Sequence, residues 1–343
     1  MFDFNFNLQR FASGLATNTN TQTTLKNNNT TLPYNDLSPE MKTFYDKVLL
    51  KFARPNLVHD QFAQIRNIPK NGGKTIEFRK YDQLPKALTP LTEGVTPDGQ
   101  LLNVTTITAT VAQYGGYIEL SDVLLLTAID NNLTEAIELL GDQAGRTLDT
   151  ITRNVLCGGT NVLYGSGNTV NARASVTAAM KLTVVDIKMA VRKLKNNLAK
   201  KIDGYYVAII HPDVAYDLMN DPEWVSASEY AGSTQIFEGE IGKLYGVRFI
   251  ETTEAKVLMG AGASSTNLYV TLVMGKDAYG TTSVEGGGLE TIVKQLGSAG
   301  TADPLNQRSS AGWKAIKTAE ILHDAYLVRI ESASTFSSEA VAN

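Results

Sequence analysis

Two β-prone segments separated by a long, proline-bearing loop constrain this chain most. TIEFRKY (75–81) alternates apolar and polar residues, and VTTITATVAQYGGYIEL (104–120) is rich in β-branched residues. Both patterns predict strands, the second the longer. The loop between them carries Pro85, Pro90 and Pro97, and TPDG at 96–99 sets Pro, Asp and Gly in the order that favours a tight bend. A two-stranded ribbon is marginal alone in water, and a loop this long counts against a compact domain unless it has a function. The economical reading is a long hairpin that projects from the body and packs on a neighbouring subunit.

The N-terminus also asks for a partner. Phe2, Phe4 and Phe6 alternate with Asp3, Asn5 and Asn7, a period of two that suits an extended strand. TNTNTQTTLKNNNTT (17–31) follows, and on composition alone it is disordered. We therefore expect an arm held by something outside itself.

The rest of the chain mixes helices and strands. Residues 38–59 predict a helix, with Ser38 as N-cap, Pro39 at the first helical position and Glu40 in the first turn. From Asn132 to Cys157, Leu133, Ile137, Leu140, Ala144, Leu148, Ile151 and Val155 recur at spacings of three and four. Asn132 and Glu135 resemble a capping box, and Gly158-Gly159 ends the helix. At about 1.5 Å per residue it is roughly 37 Å long, and its narrow stripe predicts that it lies across a sheet. Another helix starts after Thr183, with Asp186 in the capping-box position, and runs to about Lys200. Its basic end (Arg192, Lys193, Lys195, Lys200, Lys201) complements the helix dipole and reads as a solvated face. YYVAII (205–210) is a buried strand, and His211-Pro212 opens a short helix. VRFIET (247–252), LYVTLVM (268–274), LETIVKQL (289–296) and ILHDAYLVRIESA (321–333) are further strands. The class is α+β.

Composition narrows the function. Of 343 residues, 43% are hydrophobic and 19% charged, and the formal charge is 31 − 35 = −4. A protein that grips nucleic acid directly would carry a basic excess, whereas one that merely surrounds it need not. The one cysteine, Cys157, excludes an intrachain disulfide. The longest aliphatic runs, VLLL (123–126) and YYVAII, fall well short of the roughly 20 apolar residues a membrane span needs. MFDFNFNLQRFASGLA lacks the basic start of a signal peptide, so a soluble protein made in a cytosol is expected.

Catalytic motifs fail one by one. In GEIGKLYG (239–246), Lys243 is followed by Leu244 and the first glycine is wrongly spaced for a phosphate loop, so the stretch reads as a turn into the next strand. MGAGASS (259–265) and VEGGGLE (284–290) lack the strand–glycine–helix context of a dinucleotide site. His59, His211 and His323 show no metal-ligand spacing. Cys157, beside glycines at a helix end, reads as a buried small side chain in preference to a reactive thiol. The carboxylates Glu119, Asp142 and Asp149 are ordinary for this length, and no nucleophile motif occurs. No catalytic residue, cofactor or metal is expected. DPLNQRSSAGWK (303–314), with His323 and Asp324 a few positions on, is the one stretch with the look of an active-site loop.

That stretch instead carries a resemblance. DPLNQRSSAGWKAIKTAEILHDAYLVRIE resembles the C-terminal signature of tailed-bacteriophage major capsid proteins with the Hong Kong 97-type fold. The signature runs DPL-x-QR, a small-residue turn, GWK, then a strand ending LVRIE. It is met by Asp303, Pro304, Leu305, Gln307, Arg308, Gly312, Trp313, Lys314, Leu327, Val328, Arg329, Ile330 and Glu331. NLQRFA (7–12) is similar to the family's N-terminal arm. The match is specific at the two ends; across the middle it rests on the order of elements.

The resemblance implies an N-terminal arm (1–37), a helix joining the peripheral domain (38–67), an extended E-loop hairpin (68–120) and a spine helix with the peripheral domain (121–183). An axial domain (184–288) and C-terminal strands returning to the peripheral domain (289–343) complete it. It implies no enzyme, but pentamers and hexamers closing into an icosahedral shell around double-stranded DNA. The encapsulin-like cellular nanocompartment, which encloses cargo protein, is the alternative. Assembly contacts are expected from Phe2, Phe4, Phe6, Leu8 and Phe11 in the arm, and from Arg79, Lys80, Lys86, Glu93 and Asp98 in the hairpin. Asp303, Pro304, Gln307, Arg308 and Trp313 are expected to be structural: the arginine fixing a turn through charge-assisted hydrogen bonds, the tryptophan anchoring the sheet or hairpin base. With only residues 1–37 before the first helix, the expected partners are a separate scaffolding protein, a portal and a possible decoration protein, and a cleaved N-terminal prodomain is disfavoured. The expected location is the virion capsid, assembled in the bacterial host cytoplasm. A rival from another class is a hydrolase built around Asp303, Arg308 and His323.

Overall fold

A computed structural model describes residues 39–53, 57–69, 73–81, 84–96, 98–127, 132–225, 242–284, 287–298 and 303–343. In chain order the elements are α1 (Pro39–Ala53), β1 (Gln64–Ile68), β2 (Thr75–Tyr81), β3 (Val104–Thr110), β4 (Ala112–Ser121), α2 (Asp122–Thr127) and α3 (Asn132–Leu156). Then follow β5 (Val162–Tyr164), α4 (Val184–Asn196), β6 (Tyr206–Ile210), α5 (Pro212–Met219), β7 (Lys243–Leu244), β8 (Val247–Glu251), β9 (Val257–Leu258) and β10 (Leu268–Met274). The last are β11 (Tyr279–Val284), β12 (Glu290–Lys294), β13 (Arg308–Lys317), β14 (Ala319–Ile321) and β15 (Leu327–Ser332). The fold is α+β. It divides into two units, one of residues 1–58, 112–149 and 284–317, the other of the remainder.

The first unit is an antiparallel sheet, β12–β13–β4, with α1, α2 and most of α3. β13 is its centre. Its full length pairs with β4, from Arg308 opposite Ser121 to Lys317 opposite Ala112. On α3, Ala136, Ile137, Leu140, Ala144 and Leu148 are buried at the helical spacing that the sequence displays. Gly141 lets α1 approach closely, since a Cβ there would stand 2.8 Å from the Leu49 carbonyl oxygen. Lys317 is buried, and its ammonium donates to the Leu148 carbonyl at 2.9 Å.

The second unit is built on the sheet β5–β15–β10–β6–β8–β7, with β9 on β10. β6 and β10 are buried along their whole lengths, as apolar runs in a central strand should be. Ile187, Ala190, Val191 and Leu194 of α4 and Val214 and Leu218 of α5 join their core. The predicted cap of α4 is present: the Thr183 N–H donates to the Asp186 carboxylate at 2.9 Å. His211 caps α5, its Nδ1 accepting from the Asp213 N–H at 3.2 Å, with Pro212 in the first turn. A small sheet, β1–β11–β14, and the β2–β3 hairpin complete the unit.

The structure departs from the sequence reading in several places. The segment 104–120 is two strands, not one. Val111 closes the hairpin by donating its N–H to the Lys74 carbonyl at 2.9 Å, and the chain then changes partner, with β4 pairing to β13. The segment 321–333 is broken by a 3-10 turn at Asp324–Tyr326. Asp324 turns away from the ladder to accept the Thr160 N–H at 2.9 Å. The supposed small-residue turn of the signature, Ser309 to Gly312, is the interior of β13. Residues 57–59 are not helical, so the first helix falls short of His59, and α4 ends at Asn196, short of Lys200. Beyond α4, Leu198 takes a left-handed backbone (φ 58°). On α3 the predicted stripe also shifts, because Thr152 and Arg153 are buried where Ile151 and Val155 are only half-buried. The Arg153 guanidinium donates to the Glu254 carbonyl at 2.7 Å and lies 3.7 Å from its carboxylate, so the buried charge is matched.

Candidate assembly surface

The β2–β3 hairpin is in register from Thr75 opposite Thr110 to Tyr81 opposite Val104. Its base is anchored. Phe78 and Ala109 are buried with Leu322, and Gly280 makes room, since a Cβ there would fall 2.6 Å from the Phe78 ring. Among the described residues beyond Tyr81, none lies in a strand until Val104. A turn at Thr92–Val95 with Gly94 at positive φ, and a long bond from the Gln100 amide to the Pro85 carbonyl (3.4 Å), are its internal ties.

The described residues from 84 to 102 are all exposed. They include Leu88 (81% exposed), Leu91 (76%) and Leu101 (92%), with Leu84, Val95 and Leu102 also open to solvent. Six large apolar side chains exposed within one short segment point to an interaction surface, since single exposed leucines are ordinary but such a concentration along the chain is not. Of the charged residues predicted for this surface, Arg79, Lys86, Glu93 and Asp98 are exposed and Lys80 is half-buried. Lys86, Glu93 and Asp98 alternate along the chain with the leucines, which carry no charge to mark them in the sequence. The available signal was apolar residues recurring between prolines without strand or helix period.

Around the signature, main-chain and side-chain hydrogen bonds shape a turn. The Asp303 carboxylate accepts the main-chain N–H of Arg308 at 2.8 Å, and its carbonyl accepts the Asn306 N–H at 3.1 Å. Asn306 takes a left-handed conformation (φ 56°) that asparagine tolerates. The backbone N–H of Arg308 is thus one of the bonds of this turn, and its side chain is exposed. Pro304 and Gln307 are exposed as well, and the Gln307 carbonyl accepts the Asp122 N–H at 3.0 Å, joining the turn to the start of α2.

Trp313 is buried at the centre of β13, between Thr291 and Gly116. Its indole N–H donates to the Gln143 side chain on α3 at 3.1 Å. Gly115 faces this position closely: a Cβ there would meet the Trp313 carbonyl oxygen at 2.7 Å. The small residues of the signature and the two glycines of β4 thus admit a tryptophan into a sheet that α3 crosses.

In the second unit, Glu331 of β15 is fully buried between two arginines. Arg173 grips it in a two-pronged pair at 2.7 and 2.6 Å, and Arg329 approaches at 3.0 Å. The Arg329 guanidinium also bonds the Cys157 carbonyl. Burial pushes the Cys157 thiol up to about 11, which removes it as a nucleophile near neutral pH. The ring of His323 stacks on Tyr326 at 4.6 Å in this unit, whereas Asp303 and Arg308 belong to the other. The arm residues Phe2, Phe4, Phe6, Leu8 and Phe11 lie outside the described residues.

Residues 104–326, well over half of the chain, match the profile of the phage capsid protein family. No curated protein matches the sequence. Among solved structures, the capsid of Ralstonia phage GP4 is similar at 15% identity and TM-score 0.64, over 80% of this chain and 87% of that one. The capsid asymmetric unit of cyanophage Pam1 is similar at 15% identity and TM-score 0.63, over 83% and 93%. The acid-stable capsid of Helicobacter pylori bacteriophage KHP30 is similar at 10% identity and TM-score 0.56, over 78% and 87%. At such identities the likeness speaks to the fold, which is the fold the terminal signatures imply. The chain belongs to the phage capsid protein family and is a major capsid protein with the Hong Kong 97-type fold.

Proposed function

We propose that many copies of this chain close, as pentamers and hexamers, into an icosahedral shell around phage double-stranded DNA. The observation that carries this reading is the exposed apolar stretch from Leu84 to Leu102 at the free end of an anchored hairpin. Fully burying one leucine is worth roughly 1.5–3 kcal/mol. Several per subunit, repeated around a closed lattice, supply a large driving force from modest single contacts. Arg79, Lys80, Lys86, Glu93 and Asp98 around the leucines would set orientation more than affinity, since exposed ion pairs are weak.

In this reading the β2–β3 hairpin is the E-loop and α3 is the spine helix. The first unit supplies much of the peripheral domain, and residues 184–288 form the axial domain. The arm, with Phe2, Phe4, Phe6, Leu8 and Phe11, would lie along a neighbour. The role is structural and not catalytic. A separate scaffolding protein and a portal would direct closure, with a decoration protein as a further possible partner. Assembly would take place in the bacterial host cytoplasm and the product would reside in the virion. The mild negative charge of the chain suits a wall that does not grip its DNA, with sequence-independent, salt-sensitive contacts.

The test is negative-stain electron microscopy of the chain co-expressed with its genomic neighbours. Uniform closed shells containing DNA support the reading, and shells lost on deletion of residues 82–103 with the body still folded assign the assembly role to the hairpin. A small monodisperse particle under every condition contradicts it, and shells filled with cargo enzyme instead of DNA identify a nanocompartment.

A further inference from the structure

In the second unit a groove of about 270 Å³ lies beside α4, lined by Lys188, Val191, Arg192, Lys195, Asn196 and Tyr245. Its cations follow from sequence: positions 188, 192 and 195 are spaced by four and three, so they share one helical face. The Lys188 ammonium lies 4.5 Å from the centre of the Tyr245 ring and pairs with Glu223 at 2.5 Å. On the adjoining β7–β8 ribbon, Lys243 and Arg248 stand directly opposite each other. Like charges in that register repel, and an anion between them would relieve the repulsion. The surface is therefore cationic on a chain whose net charge is negative.

The chain itself contains a complementary stretch. Residues 226–241, SASEYAGSTQIFEGEI, carry Glu229, Glu238 and Glu240 and no lysine or arginine. We propose that the cationic groove of α4 docks this carboxylate-bearing stretch from a second copy of the chain. The inference rests on the shell reading above, which brings copies together. A groove and a stretch are different surfaces, so their contact is heterologous, and heterologous contacts close into rings. Rings are what pentamers and hexamers require. Exposed ion pairs are weak and screened by salt, so the contact would select neighbours and orientation more than it holds the shell.

The test uses DNA-free shells assembled from an equal mixture of light- and heavy-nitrogen chains, treated with a carbodiimide that joins adjacent carboxylates and lysine amines, then analysed by mass spectrometry. The Lys188–Glu223 pair is an internal control, expected only within one isotope. Lys188 or Lys195 joined to Glu229, Glu238 or Glu240 across isotopes, at the frequency random mixing sets and lost in high salt, is the expected result. The same links confined to one isotope, or none while the control forms, overturn the inference and leave the shell reading intact. A chain that forms no shells overturns the shell reading and this inference together.

Discussion

The hairpin end (84–102) and the β4–β13–β12 sheet differ in one decisive respect. In the sheet, the largest apolar group finds its partners within the chain: Trp313 is buried, its N–H satisfied by Gln143, with Gly116 opposite to make room. At the hairpin end Leu88, Leu91 and Leu101 are almost fully exposed. The sheet completes a fold, whereas the hairpin end is an unfinished one. Apolar side chains left in water cost free energy in the single chain, and burial in the proposed shell would return it.

Substitutions should separate the two regions. The largest effect is expected from replacing Leu88, Leu91 and Leu101 together with serine. At roughly 1.5–3 kcal/mol for each buried leucine, closed shells should disappear while the denaturation midpoint of the unassembled chain stays unchanged. Loss of both would break the comparison. Trp313→Ala should act the opposite way, costing about 3–5 kcal/mol of unfolding free energy in urea titrations of the unassembled chain. Glu331→Gln should cost about 2 kcal/mol, less than a fully buried pair would, because Arg173 is partly in water.

The smallest effect should come with pH. Burial raises the Asp217 carboxyl, but hydrogen bonds from Thr335 and Ser334 and the nearby Lys181 outweigh it and hold the group below the usual carboxylate range. A carboxyl lowered by folding stabilises the fold above its unfolded pKa, and that contribution disappears as pH falls through the folded value. Acid unfolding of the parent should therefore be steeper than that of Asp217→Asn; identical acid limbs would show that the carboxylate contributes nothing.

Much of the fold was legible where local pattern and tertiary environment agree. β2 and β10 have the predicted bounds because alternation in one and an unbroken apolar run in the other reflect their burial. The helix from Asn132, the Thr183–Asp186 cap and the His211-Pro212 helix start are local chemistry and were read correctly. Breaks were not legible. Nothing in the β-branched run at 104–120 announces that Val111 ends one ladder and Ala112 begins another, because the partner of β4 lies almost 200 residues away at Arg308–Lys317. The small residues Ser309 to Gly312 read as a turn for the same reason; Gly312 is explained only by Tyr117 opposite it, whose Cβ a side chain there would meet at 2.9 Å. At the hairpin, the charged residues attracted notice and the leucines did not, since a loop's apolar residues have no period to betray them.

The most direct test of the central claim is amide hydrogen exchange over residues 84–102, compared between unassembled chain and closed shells. Rapid exchange in the free chain and strong protection in the shell, with β4, β12 and β13 protected in both, is the predicted result. Equally rapid exchange at the hairpin end in both states would show that its leucines stay in water after assembly, and the account would fail.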